Sequence, residues 1–225
     1  MKKSILVIAS HPDDETIGCG GSLLRHVNEG DSVNVLTLTN GVGSRESNSQ
    51  SDARKRQLAA EKAFKILGIN WIASGDFPDN NMDSISLLEI IKFIENYKNK
   101  FPPDIVYTHS PSDLNIDHRI CASAALTAFR PQPREKCSEI RFFEVASATD
   151  FSVKQLNETF NPNLFVCIDK FIEKKLEALK CYEDEIKNFP HSRSIEKIKS
   201  LAEYRGGQSG QSYAEAFEVV RKIER

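Results

Sequence analysis

The residues with the clearest chemical potential are HPDDE at positions 11–15, which directly follow an apolar segment. His11 and Asp14 are separated by two residues, so both can face one cation if the chain turns between them, and Pro12 fixes part of such a turn. One imidazole nitrogen and one carboxylate oxygen suit zinc, whose catalytic sites use three protein ligands and keep one position open. Asp13 would then point to a different side of the ion. The alternative is a simple turn in which the aspartates cap a helix.

A second polar cluster lies at residues 108–119, again after an apolar segment. His118 is placed to begin a helix and can supply the third metal ligand. Asp117 can orient a metal-bound imidazole, or it can cap the same helix. His109 stays open as a metal ligand, a substrate contact or a buried histidine with a structural role. The two clusters together favour a metal site over two unrelated turns.

Strand-like and helix-like segments alternate along the chain, which predicts an α/β fold with a Rossmann-like, mostly parallel, doubly wound sheet flanked by helices. The predicted strands are residues 4–10, 32–39, 70–74, 104–108, 139–146 and 164–168. The predicted helices are residues 16–29, 52–67, 86–99 and 117–129. The C-terminal part, from residue 169 onward, is predicted to be mainly helical, with an amphipathic helix at 170–187 and an interruption at 206–210. In such sheets the ends of strands one and four are often neighbours, so the two clusters would meet.

The composition limits the classes of partner. The 225 residues suit a single domain, 1–225. The 30 basic and 32 acidic residues are well mixed, which argues against a nucleic-acid-binding face. Five cysteines without a CxxC pair favour neither a disulfide framework nor a cysteine zinc site. No apolar stretch approaches the roughly 20 residues of a membrane span. We therefore expect a cytoplasmic protein with a small-molecule partner; a homo-oligomer stays compatible with the sequence.

Residues 11–15 (HPDDE) and 117–119 (DHR) together resemble the PIG-L/LmbE-like zinc-dependent N-deacetylases, which include N-acetylglucosaminyl deacetylases. Weaker matches at Arg56, at 103–106 and at 213–217 extend the resemblance over most of the chain. The resemblance implies a metal-dependent hydrolase that removes the N-acetyl group from an amino-sugar derivative, such as an N-acetylglucosamine conjugate or a nucleotide sugar. The alternatives are a non-catalytic sugar- or nucleotide-binding protein on the same fold and a metal-dependent hydrolase of another bond.

The same resemblance assigns roles to individual residues. It implies that His11, Asp14 and His118 bind one Zn²⁺ per chain and that Asp13 is the general base. Fe²⁺ or Co²⁺ would suit these three ligands as well. Because Asp13 lies next to a ligand without being one, it can take a proton from water and pass it to the leaving amine.

The group that stabilises the oxyanion is less clearly marked. Several family members have a histidine in this role where this chain has Asn115. An asparagine amide can still donate a hydrogen bond there, and the other candidates are His191 and His109. His191 belongs to a late polar segment, 190–194, that closes over the substrate in some relatives. The alternative for this segment is a surface loop with a helix cap at Ser194.

Arginines mark the candidate substrate contacts. Arg45, Arg54 and Arg56 surround a polar loop at residues 40–51, and Arg193 lies in the late polar segment. A guanidinium group suits phosphate or sugar hydroxyls. We assign substrate contacts to Arg45, Arg56 and Arg193, against the alternative that each is a solvated surface charge.

Overall fold

The computed structural model describes residues 2–43, 50–153 and 158–224. The strands are β1 (Ser4–Ala9), β2 (Ser32–Thr37), β3 (Asn70–Ser74), β4 (Ile105–His109), β5 (Glu139–Phe143), β6 (Leu164–Cys167) and β7 (Ala214–Lys222). The helices are α1 (Asp14–Asn28), α2 (Gln50–Leu67), α3 (Leu87–Lys100), α4 (Ile116–Ala128), α5 (Ile172–Leu179) and α6 (Ile195–Ser209), with a short 3-10 turn at Met82–Ser84. Within the described ranges, no helix combines the length and apolar character that a membrane crossing needs.

The strands form one seven-stranded sheet in the order β3-β2-β1-β4-β5-β7-β6. The first five positions are parallel: β1 pairs with β2 on one side and with β4 on the other. The chain winds outward from β1 to β3 and then returns to β4, so its winding direction reverses between β1 and β4. This reversal places the carboxyl ends of β1 and β4 side by side, where ligands bind in open α/β sheets. The mostly parallel sheet and the adjacency of its first and fourth strands are confirmed.

Helices cover both faces of this sheet. Ile5 and Val7 of β1 point into a core shared with α1, α2, α5 and α6. Leu6 and Ile8 point into a second core beneath α3 and α4. Because alternate side chains of a strand face opposite sides, a central strand covered on both faces must be apolar at every position. This requirement explains the continuous apolar run that precedes residue 11.

The C-terminal part contains the expected helices, α5 and α6, but also a strand that the sequence did not predict. β7 runs antiparallel between β5 and β6. It begins with Ala214-Glu215-Ala216, residue types that are depleted in strands. Pairing on both edges, together with burial of Ala214, Ala216 and Phe217, overrides that local preference. The predicted helical C-terminal part is confirmed by α5 and α6, and β7 adds an antiparallel section to the sheet that the sequence did not predict.

Two further boundaries differ from the prediction. α6 does not break at residues 206–210 but continues to Ser209 and ends at Gly210, whose φ of 72° gives a left-handed helix end. The helix predicted at 170–187 ends at Leu179, and the next helix begins only at Ile195. The chain between α5 and α6 is therefore not helical, and its side chains can contact the ends of β1 and α2.

Candidate active site

The turn between β1 and α1 brings His11 and Asp14 together. The backbone N–H of His11 donates to Asp14 Oδ2 at 2.9 Å, and His11 Nδ1 lies 3.0 Å from the same oxygen. Asp13 precedes α1 with a φ of 137°, a conformation that costs a non-glycine residue about 1–3 kcal/mol. Adjacent aspartates therefore face different partners: Asp14 faces His11, whereas Asp13 faces two arginine side chains.

His118, at the start of α4, completes a compact group of buried donor atoms. Its Nε2 lies 3.3 Å from His11 Nδ1 and 3.3 Å from Asp14 Oδ2. We call His11 Nδ1, Asp14 Oδ2 and His118 Nε2 the donor triangle. Tetrahedral ligands at about 2.0–2.1 Å from a zinc ion lie roughly 3.3 Å apart, which the edges of 3.0, 3.3 and 3.3 Å approach. The three residues predicted as metal ligands thus meet in a geometry that fits a divalent ion.

Each histidine of the donor triangle contacts carboxylates through its other ring nitrogen. His118 Nδ1 lies 2.8 Å from Asp113 Oδ2. His11 Nε2 lies 3.0 Å from Asp79 Oδ1 and 3.3 Å from Asp117 Oδ2. Asp117 also accepts hydrogen bonds from two backbone N–H groups. Both of its oxygens are therefore hydrogen-bonded, and it lies behind the imidazole of His11 rather than in the donor triangle. Such carboxylate partners fix the ring orientation and direct the remaining lone pair toward a metal.

The carboxylates control the protonation of this group. Burial lowers the pKa of His11, but Asp14, Asp117 and Asp79 outweigh burial and raise it well above its ordinary value. Burial raises the pKa of Asp14, but His118, His11 and His109 outweigh it and lower this pKa well below its ordinary range. The ionised form of Asp14 is therefore favoured, and a carboxylate is the form that binds a cation.

Asp13, the predicted general base, is buried between Arg56 and Arg193. Its Oδ1 lies 3.0 Å from Arg56 Nη2, and its Oδ2 lies 3.3 Å from Arg193 Nη1. Burial raises the pKa of Asp13, and the two guanidinium groups only partly oppose that effect, so its pKa stays above the ordinary value. Asp13 is thus a fixed carboxyl group whose protonated and ionised forms are closer in energy than those of an exposed aspartate.

The predicted substrate arginines differ in what they contact. Arg56 is only 7% exposed and also forms an ion pair with Glu185, so its guanidinium faces protein carboxylates. Arg193 Nε donates to the backbone oxygen of Ala146 and to Ser147 Oγ. Both arginines therefore hold Asp13, and Arg193 is the less buried of the two. Arg45 lies outside the described residues.

His109 is fully buried at the end of β4. Its Nε2 accepts a hydrogen bond from the Ser10 N–H at 2.9 Å, and its ring stacks on His118 with 3.9 Å between centroids. Burial and the neighbouring His118 hold its pKa well below the ordinary value, so the ring is neutral. Among the roles left open by the sequence, this environment matches a buried histidine that supports its neighbour.

The other two candidates for oxyanion stabilisation, Asn115 and His191, occupy different settings. Asn115 caps α4: its side-chain oxygen accepts from the Asp117 N–H, and its amide nitrogen donates to Asn80 Oδ1 at 2.9 Å. The cap therefore uses the amide oxygen, and Asn80 takes one of the two amide N–H groups. His191 is exposed, and its Nδ1 accepts from the Arg193 N–H at 3.0 Å, which leaves Nε2 as the ring nitrogen that can donate. Ser194 caps α6, as the alternative for this segment predicted.

A groove of about 460 Å³ opens beside this late segment. One wall is the chain after β5, with the half-exposed Phe151, and the other wall is α6, with Tyr204. His191 and Ser192 line its floor, next to Arg193 in the chain. The volume falls within the roughly 300–1,000 Å³ of small-molecule sites. The groove therefore offers room for a small ligand beside the segment that carries His191.

The structure adds residues to the site that the sequence did not single out: Asp79, Asp113, Thr149, Tyr182 and Glu185. Asp113 carries a signal, because it is a carboxylate in the same polar cluster as His118. Glu185 carries none, because the segment that contains it has the pattern of a solvated helix face. Glu185 contacts Arg56 only because α5 ends earlier than predicted, so that Glu185 lies in the connection that follows the helix.

Comparison with known proteins gives consistent relatives. The PIG-L family profile, GlcNAc-PI de-N-acetylase, matches residues 6–129. A diacetylchitobiose deacetylase of Thermococcus kodakarensis is 29% identical over 98% of this chain and 84% of its own length. An uncharacterized deacetylase of Escherichia coli, YaiS, is 30% identical over 80% of this chain and 90% of its own length.

The same fold is found among solved structures. The solved structure of N,N'-diacetylchitobiose deacetylase from Pyrococcus horikoshii superposes with a TM-score of 0.79 at 23% identity, covering 97% of this chain and 84% of that one. The profile spans more than half of the chain and includes both motifs whose side chains form the donor triangle. By sequence, and with a fold to match, this chain belongs to the PIG-L family of de-N-acetylases.

Proposed function

We propose that the protein is a metal-dependent amidohydrolase that removes the N-acetyl group from an N-acetylglucosamine-type amino sugar. The observation that carries this proposal is the buried donor triangle with Asp13 beside it in the chain, held by Arg56 and Arg193. An ion site next to a carboxyl group that is not a ligand suits hydrolysis, which needs both an electrophile and a proton carrier. Family membership and the deacetylase relatives favour an amide as the bond that is cleaved.

The donor triangle fits a divalent ion. Asp14 Oδ1 is a buried oxygen without a hydrogen-bond partner among the described residues, as expected of a carboxylate whose remaining interaction is with a cation. A bound ion would polarise the amide carbonyl and lower the pKa of water in the site. We propose Zn²⁺, because two imidazoles and one carboxylate with an open position are typical of catalytic zinc. Fe²⁺ and Co²⁺ suit the same donors.

Asp13 is the proton carrier in this proposal. It takes a proton from the attacking water and returns it to the amine nitrogen as the C–N bond breaks, because an amine cannot depart as an anion. Arg56 and Arg193 fix the carboxylate for both steps. We assign the hydrogen-bond donor for the developing oxyanion to His191, because its Nδ1 accepts from the backbone and its Nε2 is left to donate, whereas the Asn115 amide already binds the Asp117 N–H and Asn80 Oδ1.

The substrate class follows from the relatives and the groove. We propose a small N-acetylated amino-sugar derivative, with the groove beside Arg193 taking the part of the molecule beyond the reacting amide. The exposed rings of Phe151 and Tyr204 suit an uncharged, ring-shaped portion. A cytoplasmic location, a single 1–225 domain and the absence of a nucleic-acid partner stay predictions from the sequence.

The proposal is tested by the release of primary amine from N-acetylglucosamine, N,N'-diacetylchitobiose and a nucleotide sugar. We expect amine only from metal-loaded protein. Asp13→Asn should bind metal as the wild type does and lose roughly 10²–10⁴-fold in kcat, because it removes the proton carrier alone. Asp14→Asn is the matched control and should lose the metal itself.

Two outcomes would contradict this proposal. Full activity of metal-loaded Asp13→Asn would remove Asp13 from the reaction. Tight sugar binding by metal-free protein, with no amine released in any condition, would favour the non-catalytic binding protein instead.

A further inference from the structure

The chain after β5 forms a tight turn at residues 145–150. The Val145 N–H donates to Thr149 Oγ1 at 2.7 Å, and the Thr149 N–H donates to the Val145 oxygen at 2.9 Å. Ser147 has a φ of 70°, and its N–H donates to Asp150 Oδ1. A serine in this left-handed conformation persists only where the surroundings hold it, so the turn is a fixed structure.

One side of the turn reaches the donor triangle. Thr149 Oγ1 donates to Asp113 Oδ1 at 2.5 Å, and Asp113 Oδ2 lies 2.8 Å from His118 Nδ1. The Leu114 N–H also donates to the Ala148 oxygen at 3.1 Å, so the turn binds this segment twice. With its Nδ1 proton directed at Asp113, His118 presents its Nε2 lone pair to the donor triangle. Thr149 therefore fixes the carboxylate that orients a metal ligand.

The other side of the turn reaches the proton carrier. Arg193 Nε donates to Ser147 Oγ at 2.7 Å and to the Ala146 oxygen at 3.2 Å. The same guanidinium lies 3.3 Å from Asp13 Oδ2 through Nη1. Without Ser147 Oγ, Arg193 keeps only the longer of its two contacts with the turn. Ser147 therefore fixes the arginine that positions Asp13.

We propose that the 145–150 turn is a positioning element that couples the two halves of the active site: Thr149 positions the metal ligand His118 through Asp113, and Ser147 positions Asp13 through Arg193. This inference rests on the proposed function. The two contacts predict separate effects on metal affinity and on turnover, whereas general destabilisation of the turn would change both together. Loss of the Thr149 hydroxyl acts on metal affinity, whereas loss of the Ser147 hydroxyl acts on turnover.

The experiment compares three variants of the full chain. Thr149→Val keeps the shape and removes the hydroxyl, and we expect about tenfold weaker Zn²⁺ binding in competition with a chelator, since partners behind metal ligands carry effects of that order. Thr149→Ser restores the hydroxyl and should bind Zn²⁺ within about twofold of the wild type. Ser147→Gly keeps the left-handed backbone; it should leave Zn²⁺ affinity unchanged and lower kcat roughly tenfold with KM unchanged.

Several results would overturn the inference. Wild-type Zn²⁺ affinity in Thr149→Val, or equally weak binding in Thr149→Ser, would show that the hydroxyl has no role toward His118. If Thr149→Val does not fold, as judged by metal-free thermal melting, Ser147→Gly decides: unchanged kcat, or a loss of metal affinity, rejects the coupling. Zn²⁺ binding is measured without substrate, so the Thr149 result stands even if no sugar is deacetylated and the proposed function fails.

Discussion

Three consecutive acidic residues show how the surroundings, rather than the side-chain type, set a role. Burial tends to raise the pKa of all three. Asp14 has three histidines beside it, and its pKa falls well below the ordinary range. Asp13 has two arginines, and its pKa stays raised. Glu15 has no cation among its main influences, only hydrogen-bond donors and the nearby Asp13, and burial raises its pKa to about 7. In the proposed reaction, the three neighbours would serve as a metal ligand, a proton carrier and a structural carboxyl group.

The Glu15 environment predicts a pH-dependent stability. Because its folded pKa of about 7 lies above its ordinary value of 4.5, its favourable contribution is complete below the lower value and is lost as the pH rises through 7. Glu15→Gln resembles the protonated form, and its amide can donate to the Thr16 and Tyr182 hydroxyls. We expect variant and wild type to differ by less than about 1 kcal/mol near pH 5, and the variant to be more stable by about 3 kcal/mol near pH 8.5.

Urea denaturation of chelator-treated protein measures this difference. Glu203→Gln, at an exposed position of α6, is the control and should match the wild type at both pH values. A difference between Glu15→Gln and the wild type that is the same near pH 5 and near pH 8.5 would contradict the assignment.

At the residue level, the sequence predicts which side chains lie together where local order decides the geometry. His11 and Asp14 share one turn, and His118 follows the neighbouring strand, so the topology of the sheet alone brings them together. The partners of Arg56 could not be predicted in this way. Glu185 reaches it from a connection more than a hundred residues later, and a guanidinium looks the same in the sequence whether it faces a substrate or a buried carboxylate.

Among the elements, the strands that carry the site were predictable because they are buried on both faces and apolar throughout. β7 was not, because its Ala and Glu residues favour a helix and only pairing with β5 and β6 makes it a strand. The end of α5 at Leu179 was missed for a related reason: apolar spacing continues beyond it, and tertiary contacts of Tyr182 end the helix. Long-range contacts thus decide the elements that local patterns leave ambiguous.

The course of α6 through its two glycines gives a prediction about helix stability. A Cβ atom at Gly206 would lie 2.6 Å from the Ser212 oxygen, whereas a Cβ atom at Gly207 would meet nothing within 4 Å. Gly207→Ala should therefore stabilise the protein by about 0.5–1 kcal/mol, because alanine loses less backbone entropy in a helix. Gly206→Ala should destabilise it by about 1–3 kcal/mol through overpacking against backbone. Thermal denaturation of both variants checks the pair; a loss of stability in Gly207→Ala would contradict a continuous helix.

For the molecule as a whole, the last strand is tied to the first helix. Glu215 of β7 accepts hydrogen bonds from the N–H groups of Gly21 and Ser22 at 2.8 and 2.7 Å. It also forms a buried ion pair with Lys175 of α5 at 2.7 Å, and Lys175 Nζ donates to the Ile17 oxygen of α1. The chain beyond the family profile is therefore built into the element that begins at the donor triangle. This arrangement supports the prediction of one folding unit.

Lys175→Met tests whether the chain unfolds as one unit. Removing the ammonium leaves Glu215 buried without its counter-ion, which costs about 3–5 kcal/mol. Lys199→Met is the control, because its ion pair with Glu173 is exposed and contributes little. Trp71, the single tryptophan, lies on β3 at the opposite edge of the sheet from β6 and β7. If residues 1–225 unfold as one unit, Lys175→Met must shift the tryptophan fluorescence and circular dichroism transitions equally. A Trp71 transition at the wild-type urea concentration, beside a shifted circular dichroism transition, would mean that the C-terminal section unfolds independently.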